Sequence, residues 1–142
     1  MHWTRDGYEI SDDPDRVDID VTWGFLRSAY WSKGVPRETV ERSIAGSIPF
    51  GLYAPDRSQA GFARVITDHA TFAWVADVFV LEPHRGKGLG TWLVETVVST
   101  PPLDRLRLVL LATADAHGLY ERFGFERAPE GWHMALRRPH EA

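Results

Sequence analysis

The sequence predicts an α/β fold, with a mixed central sheet that is antiparallel in its first half, parallel in the middle, and flanked by helices. Two observations carry this expectation. Three strand-like runs, residues 50–54, 61–67 and 71–81, follow one another with only short turns between them, and short connections demand antiparallel neighbours. A helical stretch carrying Leu89, Leu93 and Val97 then separates the last of these runs from an apolar run at 106–111, and a helix between two strands is the crossover that makes them parallel. A chain of 142 residues can bury about two thirds of its unfolded surface around one core, so a single domain over residues 1–142 is expected.

The elements follow in order. Residues 8–10 read as a short first strand, and the polar run 11–16 as a loop with Asp12, Asp13 and Pro14 as turn formers. Asp20 is placed to cap a helix in which Val21, Phe25, Leu26 and Ala29 recur at close to 3.6 residues, with Gly24 weakening it. After Lys33-Gly34, Pro36 suits the first position of a second short helix that carries Val40 and Ile44. The strand at 50–54 ends at Pro55-Asp56-Arg57, and the next, rich in β-branched and aromatic residues, ends at Asp68-His69. The long helix stops before Pro101-Pro102. The nearly continuous apolar run at 106–111 predicts a buried strand, 114–122 a short helix, and residues around 133–136 a final strand.

Composition narrows the function. No apolar run approaches the roughly 20 residues that a spanning helix needs, and the first ten residues lack a signal-peptide core, so the cytoplasm is the expected location. Cysteine is absent, which removes disulfides, thiolate metal sites and a cysteine nucleophile, and the six histidines are scattered without metal-ligand spacing; no metal is expected. A net charge of -4 argues against a general nucleic-acid binder. Any basic site must be local.

One such site stands out. Arg85, Gly86, Lys87, Gly88, Leu89 and Gly90 lie between a strand and the start of a helix, where unpaired N–H groups and the helix dipole attract anions. Glycines let a bulky anion approach the backbone, and Arg85 and Lys87 add charge-assisted bonds. The stretch is a candidate phosphate cradle. It is not a Walker A loop, because Lys87 is followed by Gly88, nor a Rossmann fingerprint, whose last glycine would fall on Thr91.

This hexapeptide resembles the R/Q-x-x-G-x-G/A signature of the GNAT superfamily of acyl-CoA N-acyltransferases. A second segment, TADAHGLYERFGF from Thr113 to Phe125, is similar to the family's N-x-x-A-x-x-L-Y-E-K-x-G-F pattern through Ala116, Leu119, Tyr120, Glu121, Gly124 and Phe125, with Thr113 in place of the usual Asn and Arg122 in place of Lys. The resemblance implies a GNAT-like fold in which the strands at 71–81 and 106–111 splay apart and hold acetyl-CoA in the gap. The diphosphate would lie on the N–H groups of residues 87–90, with Thr113 and Ala116 nearby, and pantetheine would pair with the free edge at Phe79, Val80 and Leu81. An N–H near Val80 would then polarise the thioester carbonyl. Acetyl transfer by direct attack of a neutral bound amine needs no enzyme nucleophile. Tyr120 matches the tyrosine that protonates the departing thiolate.

Three further assignments rest on the residues themselves. By alternation, Asp77 shares a face with Phe79 and Leu81 rather than with Ala76 and Val78, where a carboxylate would bind an ammonium group, take its proton through water, or serve only a structural hydrogen bond. His117, one helical turn before Tyr120, would touch pantetheine or relay a proton, or simply face solvent. Trp23, Tyr30, Trp31 and Trp74, with Asp18 and Asp20 nearby, suit a cationic or aromatic amine, or else belong to the core. The expected function is N-acetylation of a small or amino-acid-like primary amine, without nucleic acid or membrane, by a monomer or homodimer. A non-catalytic acyl-CoA sensor and a protein lysine acetyltransferase stay open as alternatives.

Overall fold

The computed structural model describes residues 1–139. Six strands form one sheet in simple chain order, β1 (His2–Arg5), β2 (Tyr8–Ser11), β3 (Ile48–Tyr53), β4 (Gln59–Thr67), β5 (Phe72–Val80) and β6 (Leu108–Leu110). All neighbours are antiparallel except β5 and β6, as the connection lengths predict. The hairpin of β1 and β2 extends the sheet beyond the single strand expected at 8–10. Its turn is Asp6-Gly7, both at positive φ (51° and 83°), the conformation that an Asp-Gly pair favours in a two-residue hairpin.

Helices α1 (Ile19–Leu26) and α2 (Arg37–Ala45) join β2 to β3, and α3 (Leu89–Ser99) joins β5 to β6. The cap of α1 is Asp18, whose Oδ1 accepts the Val21 N–H at 3.2 Å. Asp20 instead pairs with Arg37 and fastens α1 to α2. Pro36 is the N-cap of α2 rather than its first helical residue.

Two apolar clusters identify the two faces of the sheet. Ile10, Phe50, Leu52 and Val65 pack against Leu89, Trp92, Leu93 and Val97 of α3; Phe62 and Phe79 pack against Leu26 of α1 and Val40 and Ile44 of α2. Burying each such side chain contributes about 1.5–3 kcal/mol, so α3 is held firmly beneath the strands that carry its N-terminal loop.

The C-terminal third departs from expectation. β6 is short and half-exposed rather than buried, with Leu108 39% exposed. The helix expected at 114–122 contracts to α4 (His117–Glu121). No strand forms at 133–136 among the described residues, and Trp132, Met134 and Leu136 are exposed. The missing strand and the exposure of β6 are one fact, because no strand among the described residues pairs with the outer edge of β6. No helix among the described residues is long and apolar enough to cross a membrane.

Candidate active site

The site begins with a failure of pairing. β6 runs alongside β5 only from Phe72 to Trp74, which face Leu108 to Leu110. Beyond Trp74 the strands diverge and the second half of β5 has a free edge. Leu81 N donates to Ala60 O at 2.8 Å, so in the antiparallel ladder Phe79 and Leu81 turn their polar groups towards β4. Val80, between them, turns its N–H and C=O into the gap. Of the three residues expected to pair with pantetheine, only Val80 turns its main chain away from β4, with its N–H towards the gap and its C=O taken by Arg85 Nε at 2.8 Å.

A bulge shapes this edge. Phe62 faces Phe79 and Arg64 faces Ala76, which leaves one extra residue on β5. Asp77 takes up the slack at φ 55°, a left-handed conformation that Asp tolerates better than most side chains. Arg64 Nε donates to Asp77 Oδ2 at 2.9 Å, and Trp31 Nε1 donates to Asp77 Oδ1 at 3.0 Å. Both carboxylate oxygens are engaged by neighbouring side chains, which anchors Asp77. Arg64 reaches on to Ser47 Oγ at 3.1 Å.

The loop between β5 and α3 has the geometry of an anion cradle. Gly86 and Gly88 sit at φ 82° and 76°, and a Cβ built on either would find no atom within 4 Å. Glycine is needed there for its backbone conformation, and the space in front of it is open. The first helical hydrogen bond runs from Trp92 N to Gly88 O at 3.0 Å. Among the described residues no acceptor meets the N–H groups of residues 86–91.

The two cations of the loop are held by the protein itself. Arg85 Nε donates to Val80 O at 2.8 Å, and Lys87 Nζ donates to the Tyr8 hydroxyl at 3.1 Å, which shares a further hydrogen bond of 2.8 Å with His84 Nδ1. Tyr8 and His84 were not legible as site residues, because each lies outside any motif.

Across the gap, Thr113 Oγ1 accepts the Ala116 N–H at 3.1 Å. It thereby fixes the entry to α4, with Ala116 as N-cap and His117 as first residue. Tyr120 is buried at 8% exposure and packs edge to face on Phe125 at 5.8 Å. Burial, with smaller effects of Tyr30 and Asp115, raises its pKa above the ordinary tyrosine value and keeps the phenol protonated. Tyr120 borders a void of about 10 Å³ with Val75, Val78 and Val94, and also a cavity of about 810 Å³ lined by Trp74, Leu110, Thr113, His117, Glu121 and Met134 among others.

Of the four residues expected to bind substrate, three surround the gap. Trp74 lines the cavity, and Tyr30 and Trp31 bond the two sides of the gap, the Tyr30 hydroxyl accepting the Ala114 N–H and the Trp31 indole donating to Asp77, each at 3.0 Å. Trp23 is elsewhere: its indole donates to Val35 O at 3.0 Å and its ring lies under Arg27 and Arg37. That tryptophan closes the core beneath the loop. Among the described residues no cluster of three or more His, Asp or Glu side chains could hold a metal.

Comparison with known proteins bears on this arrangement. The sequence profile described as an acetyltransferase (GNAT) domain matches residues 50–127. A protein of Gibberella zeae, provisionally named an acetyltransferase, is 30% identical over 84% of this chain and 79% of its own. A solved structure from Xanthomonas campestris pv. campestris, provisionally assigned to the GNAT family, superposes with a TM-score of 0.86 at 41% identity over 93% of both chains. A GNAT family acetyltransferase from Elizabethkingia anophelis, solved with acetyl-CoA bound, shares the fold at a TM-score of 0.68 and 16% identity over 88% of this chain and 80% of that one.

Proposed function

This chain belongs to the GNAT family of acetyltransferases, and from that premise we propose that it moves the acetyl group of acetyl-CoA to a small primary amine inside one ternary complex. The supporting observation is the row of unpartnered amides at residues 86–91, open in front of Gly86 and Gly88 and continuous with the free edge at Val80. An N-terminus of an 11-residue helix with its N–H groups free suits a diphosphate. Acetyl-CoA brings the activated acetyl group. The chain's residues bind, orient and move protons.

In this reading the cradle amides hold the diphosphate, and the Val80 N–H bonds the carbonyl oxygen and strengthens its hold as negative charge develops there. The amine nitrogen forms its bond to the acetyl carbon, the carbon–sulfur bond breaks, and the thiolate takes the Tyr120 proton. The ammonium proton lost from the amine goes to water, and solvent restores the Tyr120 proton. His117, in the cavity wall one turn from Tyr120, is the side chain best placed to pass protons between them. Asp77, bonded to Arg64 and Trp31, holds the acceptor side together instead of acting as base. Trp74, Tyr30 and Trp31 receive the amine, and the acetyl donor comes from the cytoplasmic pool.

Calorimetric titration with CoA and acetyl-CoA, followed by an amine panel monitored by thiol release, tests the proposal. Saturable CoA binding with amine-dependent thiol release is the expected result. A protein that ignores CoA at millimolar concentration refutes the cradle; one that binds CoA but acetylates nothing is a sensor, not a transferase.

A further inference from the structure

The loop between α1 and α2 does more than border the gap. Two consecutive residues fasten it to the two arms that diverge: Trp31 Nε1 donates to Asp77 Oδ1 on β5, and the Tyr30 hydroxyl accepts the Ala114 N–H just beyond β6, each at 3.0 Å. Their rings meet edge to face at 5.0 Å. Trp31 leans on Phe25 at 6.1 Å, and Phe25 stacks on Phe79 of β5 with centroids 4.0 Å apart and planes 12° from parallel. The β5 anchor is itself secured by Arg64, which binds Asp77 from β4 and Ser47 just before β3. An aromatic strap thus crosses the gap on the face opposite α3, at the level of the bulge.

We propose that this strap decides the class of acceptor: a small free amine with an apolar or aromatic body is admitted, and a lysine on a polypeptide is refused, with Arg64 as the positioning residue that keeps the strap's β5 anchor in place. The proposal rests on the acetyl-transfer reading above. A polypeptide acceptor needs an open groove so that its main chain can lie across both arms beside the thioester, and the strap occupies that line. A free amine has another route. The cavity of about 810 Å³ lies within the size range of small-molecule sites, presents Trp74, Leu110 and Met134 to an apolar body, and reaches Tyr120. Its wall includes Thr113, whose neighbour Ala114 is the strap's second anchor. The strap's second anchor thus follows directly on a residue of the cavity wall, and in this proposal the strap also keeps water from the place where the thioester would lie.

The test uses Tyr30→Phe, which removes the hydroxyl that accepts from Ala114, Trp31→Phe, which keeps a ring but loses the donor to Asp77, and the double variant. Each is assayed with acetyl-CoA against an arylalkylamine and a lysine peptide. The wild-type protein should favour the arylalkylamine by about 100-fold or more in kcat/KM, and the double variant should narrow that ratio by about tenfold. CoA affinity should stay within about twofold, since the cradle is untouched, while acetyl-CoA hydrolysis without acceptor should rise. Trp31→Phe alone should narrow the ratio in part, Arg64→Met should narrow it as much as Trp31→Phe, and Arg64→Lys should keep part of the selectivity. An unchanged ratio in a double variant that turns over normally, or a wild-type protein that acetylates the peptide as readily as the arylalkylamine, overturns the strap and leaves acetyl transfer standing. A wild-type protein that binds CoA but acetylates no amine overturns the reading beneath it, and the strap with it.

Discussion

Replacing Gly88 by alanine and by glutamate separates two physical contributions to the cradle. Gly88 sits at φ 76° with nothing within 4 Å of a built Cβ, so Gly88→Ala meets no clash and incurs only the left-handed strain, about 1 kcal/mol. For a domain of this size that lowers Tm by about 2–5 °C. Gly88→Glu carries the same strain and adds a carboxylate in the mouth of the cradle. At about 5 Å from a phosphate, with an effective dielectric between that of water and that of a protein surface, each phosphate charge costs about 1–3 kcal/mol. Two charges give at least about 2 kcal/mol, or roughly a 30-fold weaker CoA affinity than in Gly88→Ala. Calorimetric titration of both variants at low salt measures the difference, which should shrink as ionic strength rises. Equal CoA affinity in the two variants, or a difference indifferent to salt, refutes the placement of the diphosphate at this helix terminus.

Other outcomes follow from the same geometry. Tyr120→Phe should lower kcat by about 100-fold with CoA affinity within about twofold, and because burial raises the Tyr120 pKa, the wild-type kcat should hold past the ordinary tyrosine range before an alkaline decline that the variant lacks. Tyr8→Phe releases the Lys87 ammonium from its anchor and should weaken CoA by about threefold to tenfold while leaving a pantetheine fragment without the diphosphate unaffected; titration of both ligands checks it. Tyr53 has a buried hydroxyl without a partner among the described residues and a pKa pushed up to about 12 by burial. Its folded state holds the proton more tightly than the unfolded chain, so this contribution is intact below about pH 10 and is lost as pH rises through about 12. Tyr53→Phe should be neutral or up to about 1 kcal/mol more stable at pH 7, and denaturant melts should show a shallower alkaline loss.

The parts of the fold that sequence reveals are those fixed by local chemistry. Short turns dictated the antiparallel hairpins, and the length of the segment carrying Leu89 to Val97 dictated the parallel crossover. The cradle was legible because glycines, cations and a helix start coincide within six residues. The failures are those of context. Asp20 and Asp18 both offer a capping carboxylate, and only the Arg37 guanidinium across from α1 decides that Asp20 is spent on an ion pair. The run at 106–111 looks buried because it is apolar, yet its burial depends on a partner for its outer edge. Trp23 and Trp31 lie in the same aromatic-rich stretch of the sequence, yet the indole of one finds a main-chain carbonyl while that of the other finds a carboxylate. Tyr8 and His84, 76 residues apart, carry no sequence signal for their meeting.

Asp77 shows how one local irregularity reorganises the chemistry of a strand. Strict alternation along β5 puts residues 73, 75, 77, 79 and 81 on one face, yet Ala73 and Val75 pack towards α3 while Phe79 and Leu81 pack towards α1 and α2. The bulge accounts for the reversal. Asp77 does share a face with Phe79, as alternation expects, but it also shares it with Ala76, which pairs with the same Arg64 that binds the carboxylate. A regular strand would have left Val80 facing a different partner and its N–H bonded within the sheet, so the same extra residue that places Asp77 under Trp31 also turns Val80 towards the gap. One signal of this was present in the sequence: Arg64 and Asp77 are lone opposite charges in two adjoining apolar runs, set almost symmetrically about the connection at residues 68–72. Charges of that kind are seldom buried without a partner, and pairing them across the hairpin forces the register that leaves one residue over. The ion pair, the bulge and the exposed amide go together with a single extra residue on β5.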